Sequence, residues 1–176
     1  SPFLHNYWFH RNKLNCEYKK IKIEKKNIKK VLNKIRKKDL EGINVTIPFK
    51  KSVIKFLDLL KPDAAKTQSV NTVYLDRKKL VGDNTDVYGF SFGILRKIKK
   101  KAKVAAIIGA GGVTSSVILA LVRNGVKKIL ITNRTFSKLT HLKQKFRKQL
   151  QLVKWVNYEK VFGEAQLLIN VSSLGM

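Results

Sequence analysis

Cysteine occurs once in the 176 residues, at Cys16, so no disulfide forms within the chain and a zinc site built on cysteine is excluded. The three histidines, His5, His10 and His141, are scattered, and a metal-free protein is expected. No apolar run reaches the length that spans a bilayer, and the N-terminus lacks the pattern of a cleaved signal. A cytoplasmic protein without a membrane partner is therefore the expectation. Acidic residues are also scarce, 11 against 38 basic ones, for a net charge of +27. Such a balance is one mark of a nucleic-acid binder. Only seven of the basic residues are arginine, however, and the lysines are spread along every segment among many Ile and Asn. Arginine is the preferred reader of phosphates and base edges. No nucleic-acid partner is expected, although the positive field would attract anionic small molecules. With 44% hydrophobic residues and neither repeats nor low-complexity segments, the chain has the means to build a core.

The rest is organised around residues 103–135. Val104 to Ile108 is an apolar run of strand length, stopped by Gly109-Ala110-Gly111-Gly112. From Val113 to Asn124 apolar residues recur at helical spacing (Val117, Ile118, Leu121, Val122), and Gly125 ends the helix. Ile129 to Thr132 reads as a second buried strand. Strand, glycine turn, helix and strand make the first βαβ unit of a dinucleotide-binding domain. Its glycines let backbone N–H groups approach a pyrophosphate, and the helix start at Val113 offers its positive end. Thr114 stands at the third glycine position of the fingerprint. At the end of the second strand, where NAD enzymes place a carboxylate for the ribose, the chain has Asn133-Arg134-Thr135. Arg134, with Lys138 a turn later, suits a 2′-phosphate and favours NADP.

Ahead of this unit the pattern predicts a helix over Pro2 to Lys13, capped by Ser1, with Phe3, Leu4, Tyr7 and Trp8 facing inward. It predicts a strand over Glu17 to Ile23 and an amphipathic helix over Lys26 to Lys37 (Ile28, Val31, Leu32, Ile35 inward). A strand from Ile43 to Ile47 ends at Pro48, and a helix follows from Lys50 to Leu60. A polar link from Lys61 to Gln68 leads into a hairpin, Val70 to Leu75 and Leu80-Val81, turning at Asp76 to Lys79. Val87 to Lys100 reads as a connecting helix capped by Asp86. After the nucleotide unit come a helix (Phe136 to Leu150), a strand (Leu152 to Val156), a short helix (Tyr158 to Phe162) and a strand (Leu167 to Asn170). The whole is α/β: an N-terminal α/β substrate domain (1–86), a connecting helix and linker (87–102), and a partial Rossmann-type NADP-binding domain (103–176).

Three loop stretches concentrate small polar groups: Asn44-Val45-Thr46-Ile47-Pro48-Phe49-Lys50, Ser69-Val70-Asn71-Thr72 and Gly82-Asp83-Asn84-Thr85-Asp86. Together with Ser-Pro-Phe-Leu-His-Asn at the start, Gly-Ala-Gly-Gly, Asn-Arg-Thr and the closing Asn-Val-Ser-Ser-Leu-Gly-Met, they make seven ordered motifs covering nearly the whole chain. In these the chain resembles shikimate dehydrogenase of aromatic amino-acid (chorismate) biosynthesis. The resemblance implies reversible hydride transfer between NADPH and the C3 carbonyl of 3-dehydroshikimate. It implies that Lys50 and Asp86 are the catalytic pair, and that Ser1, Thr46 and Asn71 join them in holding shikimate. Gly109, Ala110, Gly111, Gly112 and Val113 would hold the pyrophosphate of NADP, and Asn133, Arg134, Thr135 and Lys138 the adenosine 2′-phosphate.

A lysine ammonium can stabilise the oxyanion formed by hydride addition and donate the proton, provided burial brings its affinity for that proton down for the reverse reaction. The resemblance also implies a fragment: a serine and strand ahead of Ser1 and a C-terminal part after Met176, with a substrate glutamine, belong to the family's pattern. Gln68-Ser69 stands where the family has Gly-Ala. Two alternatives stay open, an NAD-using quinate/shikimate dehydrogenase and a non-enzymatic basic module. A homodimer is one assembly left open.

Overall fold

A computed structural model of the chain describes residues 1–172; the last four residues of the closing motif, 173–176, lie outside it. In chain order the elements are α1 (Pro2–Arg11), α2 (Ile28–Arg36), β1 (Gly42–Asn44), β2 (Leu59–Leu60), α3 (Pro62–Thr67), β3 (Thr72–Asp76), β4 (Lys79–Asp83), α4 (Asp86–Gly93), β5 (Val104–Ile108), α5 (Thr114–Arg123), β6 (Lys128–Thr132), α6 (Ser137–Lys145), β7 (Leu150–Val153), α7 (Tyr158–Phe162) and β8 (Leu167–Asn170). They build two four-stranded sheets, ordered β1-β3-β4-β2 and β7-β6-β5-β8. The fold is α/β. No helix among the described residues is long and apolar enough to cross a membrane.

In the second sheet all pairings are parallel, with β5 in the middle, the 3-2-1-4 order of a doubly wound fold. Both faces are covered, and alternate residues serve different cores. Ala105, Ile107, Ile129 and Ile131 pack on α5 and α6, whereas Ala106 and Leu130 pack with Val153, Tyr158 and Phe162 on the other side. Helix α5 is buried from Thr114 to Leu121, because the sheet lies on one flank and α3 and α4 on the other. In the first sheet, Val73 and Leu80 meet Ile28, Leu32 and Ile35 of α2. Each fully buried branched chain of this kind contributes roughly 1.5–3 kcal/mol relative to exposure. The β3–β4 hairpin turns on Arg77 and Lys78, both at positive φ (46° and 66°), as its two-residue connection demands.

Several elements differ from the pattern expected of the sequence. Helix α1 buries nothing: Phe3, Leu4, Tyr7 and Trp8 are exposed, and Ser1 makes no side-chain cap bond. No strand forms over Glu17 to Ile23. A strand needs a partner for its backbone groups, and here those of Tyr18 are taken by the Asn6 side chain, with the His5 ring stacked on Tyr18 at 4.2 Å. The Lys50 to Leu60 helix is instead a run of turns with one short 3₁₀ segment, Ile54–Phe56. Leu59–Leu60 is drawn into parallel pairing with β4, and the Asp58 carboxylate is fastened to Arg36 and the Leu80 N–H. Conversely, the link at Lys61 to Gln68 holds α3, started by Pro62. The β1 strand stops at Asn44, short of Ile47, and the Ile47–Pro48 peptide is cis. Helix α4 stops at Gly93, short of Lys100, and its cap residue is Thr85, with Asp86 inside the first turn. Helix α6 ends at Lys145, and β7 runs from Leu150 to Val153, two to three residues before the expected strand.

Candidate active site

Lys50 leaves the turn after Pro48, and Asp86 opens α4; their elements meet where β1, β3 and β4 end. The Lys50 ammonium donates to Asp86 Oδ2 at 2.7 Å, with the two side chains only 15% and 22% exposed. The other carboxylate oxygen, Oδ1, accepts from Asn71 Nδ2 at 2.8 Å. Asn71 is itself fixed: Nδ2 also donates to Thr85 Oγ1, and Oδ1 accepts the Thr85 N–H at 3.0 Å. Thr72 Oγ1 donates to the same oxygen and accepts from Asn44. Both amide protons of Asn71 are therefore engaged within the protein, so this residue is a brace for the carboxylate. Backbone bonds lock the segments together: Val45 N–H to the Asn71 carbonyl, Val70 N–H to the Lys50 carbonyl, and Asn71 N–H to the Asp83 carbonyl.

The glycine turn comes to the same place from the second sheet. A Cβ at Gly112 would lie 4.0 Å from Lys50 Cδ and 3.6 Å from Ile47 Cγ1. Gly109 has φ +111°, and a Cβ there would meet the Ser172 nitrogen at 2.7 Å, so only glycine fits the end of β5. The N–H groups of residues 110–113 find no acceptor among the described residues, and α5 begins directly behind them. Thr114 Oγ1 and Thr132 Oγ1, both buried beside this turn, also have no hydrogen-bond partner among the described residues. N–H donors with no acceptor among the described residues at the start of a ten-residue helix, and a turn carrying three glycines, are a fit for a pyrophosphate. At the end of β6, Asn133 shapes the loop by donating to the Thr135 carbonyl at 2.8 Å. Arg134, Thr135 and Lys138 are exposed, and neither cation has an acidic partner among the described residues.

Lys50, Asn71, Asp86 and Gly112 are thus brought together. Thr46 is exposed on the segment between β1 and Pro48; its hydroxyl and that of Ser1 are unengaged among the described residues, and Ser1 does not join the hydrogen-bonded cluster. Four polar residues were not singled out from the sequence for a role: Thr72, Asn84, Ser69 and Ser116. Ser69, Thr72 and Asn84 lie inside the quoted Ser69–Thr72 and Gly82–Asp86 motifs, whereas Ser116 is a buried hydroxyl in the first turn of α5, for which no local pattern gives a signal. Among the described residues no cluster of His, Cys, Asp or Glu could hold a metal.

Comparison with known proteins gives this geometry its relatives. Residues 1–73 match the family model of the shikimate dehydrogenase substrate binding domain, and residues 94–174 that of shikimate / quinate 5-dehydrogenase. The chain is 41% identical over 180 residues to the shikimate dehydrogenase (NADP(+)) of Pelagibacter ubique, and spans 65% of that protein's length. Among solved structures, shikimate dehydrogenase from Aquifex aeolicus superposes with a TM-score of 0.89 at 35% identity, over 99% of this chain and 64% of that one. The enzyme from Thermus thermophilus, solved in complex with NADP(H) and shikimate, superposes with a TM-score of 0.84 at 28% identity, over 97% and 62%.

Proposed function

The chain belongs to the shikimate dehydrogenase family, and from that premise we propose that the protein carrying it reversibly reduces 3-dehydroshikimate to shikimate with NADPH. The observation that carries the reading is the Lys50–Asp86 contact at 2.7 Å, set against the glycine turn at Gly112. When bound, NADP(H) supplies or accepts the hydride. Hydride addition to a carbonyl carbon leaves negative charge on the oxygen. The Lys50 ammonium stabilises that charge and hands over a proton; in the oxidative direction Lys50 takes the proton back from the hydroxyl. Asp86 aims the ammonium, and Asn71 keeps the carboxylate from swinging. Ser1 and Thr46, whose hydroxyls are unengaged among the described residues, are assigned to the substrate's carboxylate and hydroxyls.

Residues 110–113, behind Gly109, would hold the pyrophosphate, since their N–H groups find no acceptor among the described residues. Asn133 to Thr135 with Lys138 would hold the 2′-phosphate, and two cations with no acidic partner among the described residues favour NADP over NAD. In this reading residues 1–86 form the substrate domain, 87–102 the connection and 103–176 the nucleotide domain, and the protein works in the cytoplasm. The test is the initial rate with 3-dehydroshikimate and NADPH, set beside NADH and beside oxidation of quinate. Turnover with a clear preference for NADPH and for shikimate over quinate is expected. A preference for NAD overturns the role of Arg134 and Lys138, and no dehydrogenase activity overturns the proposal.

A further inference from the structure

Asn84 lies between the two sheets, 2% exposed, with its whole amide engaged. Its Nδ2 donates to the Ser69 carbonyl at 2.8 Å and to Thr67 Oγ1 at 3.0 Å. Its Oδ1 accepts the Asp86 N–H at 3.0 Å and the Ser116 hydroxyl at 3.2 Å, and Ser116 Oγ also lies 3.0 Å from Nδ2. The amide has one orientation, because the Ser69 carbonyl needs a donor and the Asp86 N–H needs an acceptor. Thr67 gives its own proton to the Asp63 carbonyl at 2.6 Å and so accepts from Asn84. Both Nδ2 protons are then placed, and the Ser116 hydroxyl must act as donor to Oδ1. Every proton in this buried set has one acceptor, which makes the set rigid.

The two ends of the set belong to different halves of the molecule. Ser116 is fully buried in the first turn of α5, the helix that the glycine turn feeds. Asp86 N–H starts α4, and its carboxylate holds Lys50. We propose that Ser116 is a positioning residue, which through Asn84 sets Asp86 and Lys50 in register with the nucleotide-binding turn; this rests on the function proposed above. Hydride transfer needs the reacting centres placed within a fraction of an ångström, and a short chain of buried hydrogen bonds fixes such a distance better than packing alone. A serine at this point is small enough for the helix to approach Asn84, and its hydroxyl supplies the link.

Ser116→Ala removes one donor from Oδ1 and leaves no buried N–H unpaired, so the fold survives. Ser69→Ala is the matched comparison. That hydroxyl joins the same two halves, donating to the Gly112 carbonyl at 3.4 Å, yet does not touch Asn84 Oδ1. Both variants are made in the protein that carries this chain, and kcat and KM for shikimate and NADP are followed against pH, alongside thermal melting. Ser116→Ala is expected to lower kcat about tenfold and shift its pH profile, with both KM values within about twofold. Ser69→Ala is expected to leave the pH profile in place. An unchanged kcat and pH profile in Ser116→Ala overturns the proposal, whatever the melting temperature does. Hydrogen exchange at the Asp86 amide separates this from the fate of the catalytic reading. Faster exchange in Ser116→Ala supports the link even if the protein does not oxidise shikimate, and unchanged exchange in that case refutes it.

Discussion

Lys50 and Asp86, 36 residues apart in sequence, form a half-buried ion pair of 2.7 Å whose second carboxylate oxygen is held by Asn71. A pair so placed orients a proton, because each partner limits the other's freedom. Asp86→Asn keeps the shape and removes the charge that aims the ammonium. It is expected to lower kcat by about 10²-fold or more, the scale of general acid–base catalysis, while circular dichroism stays that of the parent. A variant within threefold of the parent would show that the pair is structural only.

The cofactor preference can be tested at Arg134. Its guanidinium and the Lys138 ammonium meet no carboxylate among the described residues. Arg134→Ala is expected to raise KM for NADPH by about 10- to 100-fold, the worth of one or two charge-assisted hydrogen bonds, and to leave KM for NADH nearly unchanged. Equal effects on both cofactors would show that Arg134 does not read the 2′-phosphate.

Asp58 ties α2 to β4. The Arg36 guanidinium first, and the Leu80 N–H second, hold its carboxyl below the ordinary 3.8. A lowered native value means that its stabilising contribution is fully present above about pH 4 and is lost as pH falls through the native value. Asp58→Asn is therefore expected to melt at a lower temperature than the parent at pH 7, the gap closing as pH falls through the carboxyl's lowered native value. A gap that persists undiminished in acid would show that charge is not the cause.

His141 also weakens the fold in acid, but through repulsion of its charged form. It lines a cavity of about 480 Å³ with Lys51, Lys55 and Lys145. Lys145 first, then burial and Lys51, push its pKa below 6.5. Protonation is thus disfavoured in the folded protein, and stability falls as pH drops through the unfolded value of about 6.5. His141→Gln should raise the melting temperature relative to the parent at pH 5 and leave it unchanged at pH 8. No pH dependence in that difference would contradict the repulsion.

The elements legible in the sequence are those whose signals are local. Strand β5, the turn at Gly109 and helix α5 follow one another with their own start and stop residues, and the strand alternation is simple because both faces are buried. Helix α2 announces itself through Ile28, Leu32 and Ile35. The residues 50–60 do not, because their helical spacing is overruled by pairing with β4 and by the grip on Asp58, both of which depend on distant chain. The same holds for Phe3 to Trp8, whose apolar face carries no record of whether anything covers it. At the site, Lys50, Asn71 and Asp86 were marked by motifs. Asn84 lies in a quoted motif that does not reveal its role, and Ser116 lies in none, since a buried hydroxyl on a helix looks like any other until its partner 32 residues away is seen.

The most direct test of the account is single-turnover kinetics of Lys50→Ala with shikimate and NADP. Turnover is expected to fall by about 10²- to 10⁴-fold, while the dissociation constant for shikimate changes less than about tenfold. A Lys50→Ala protein that turns over near the parent rate would contradict it.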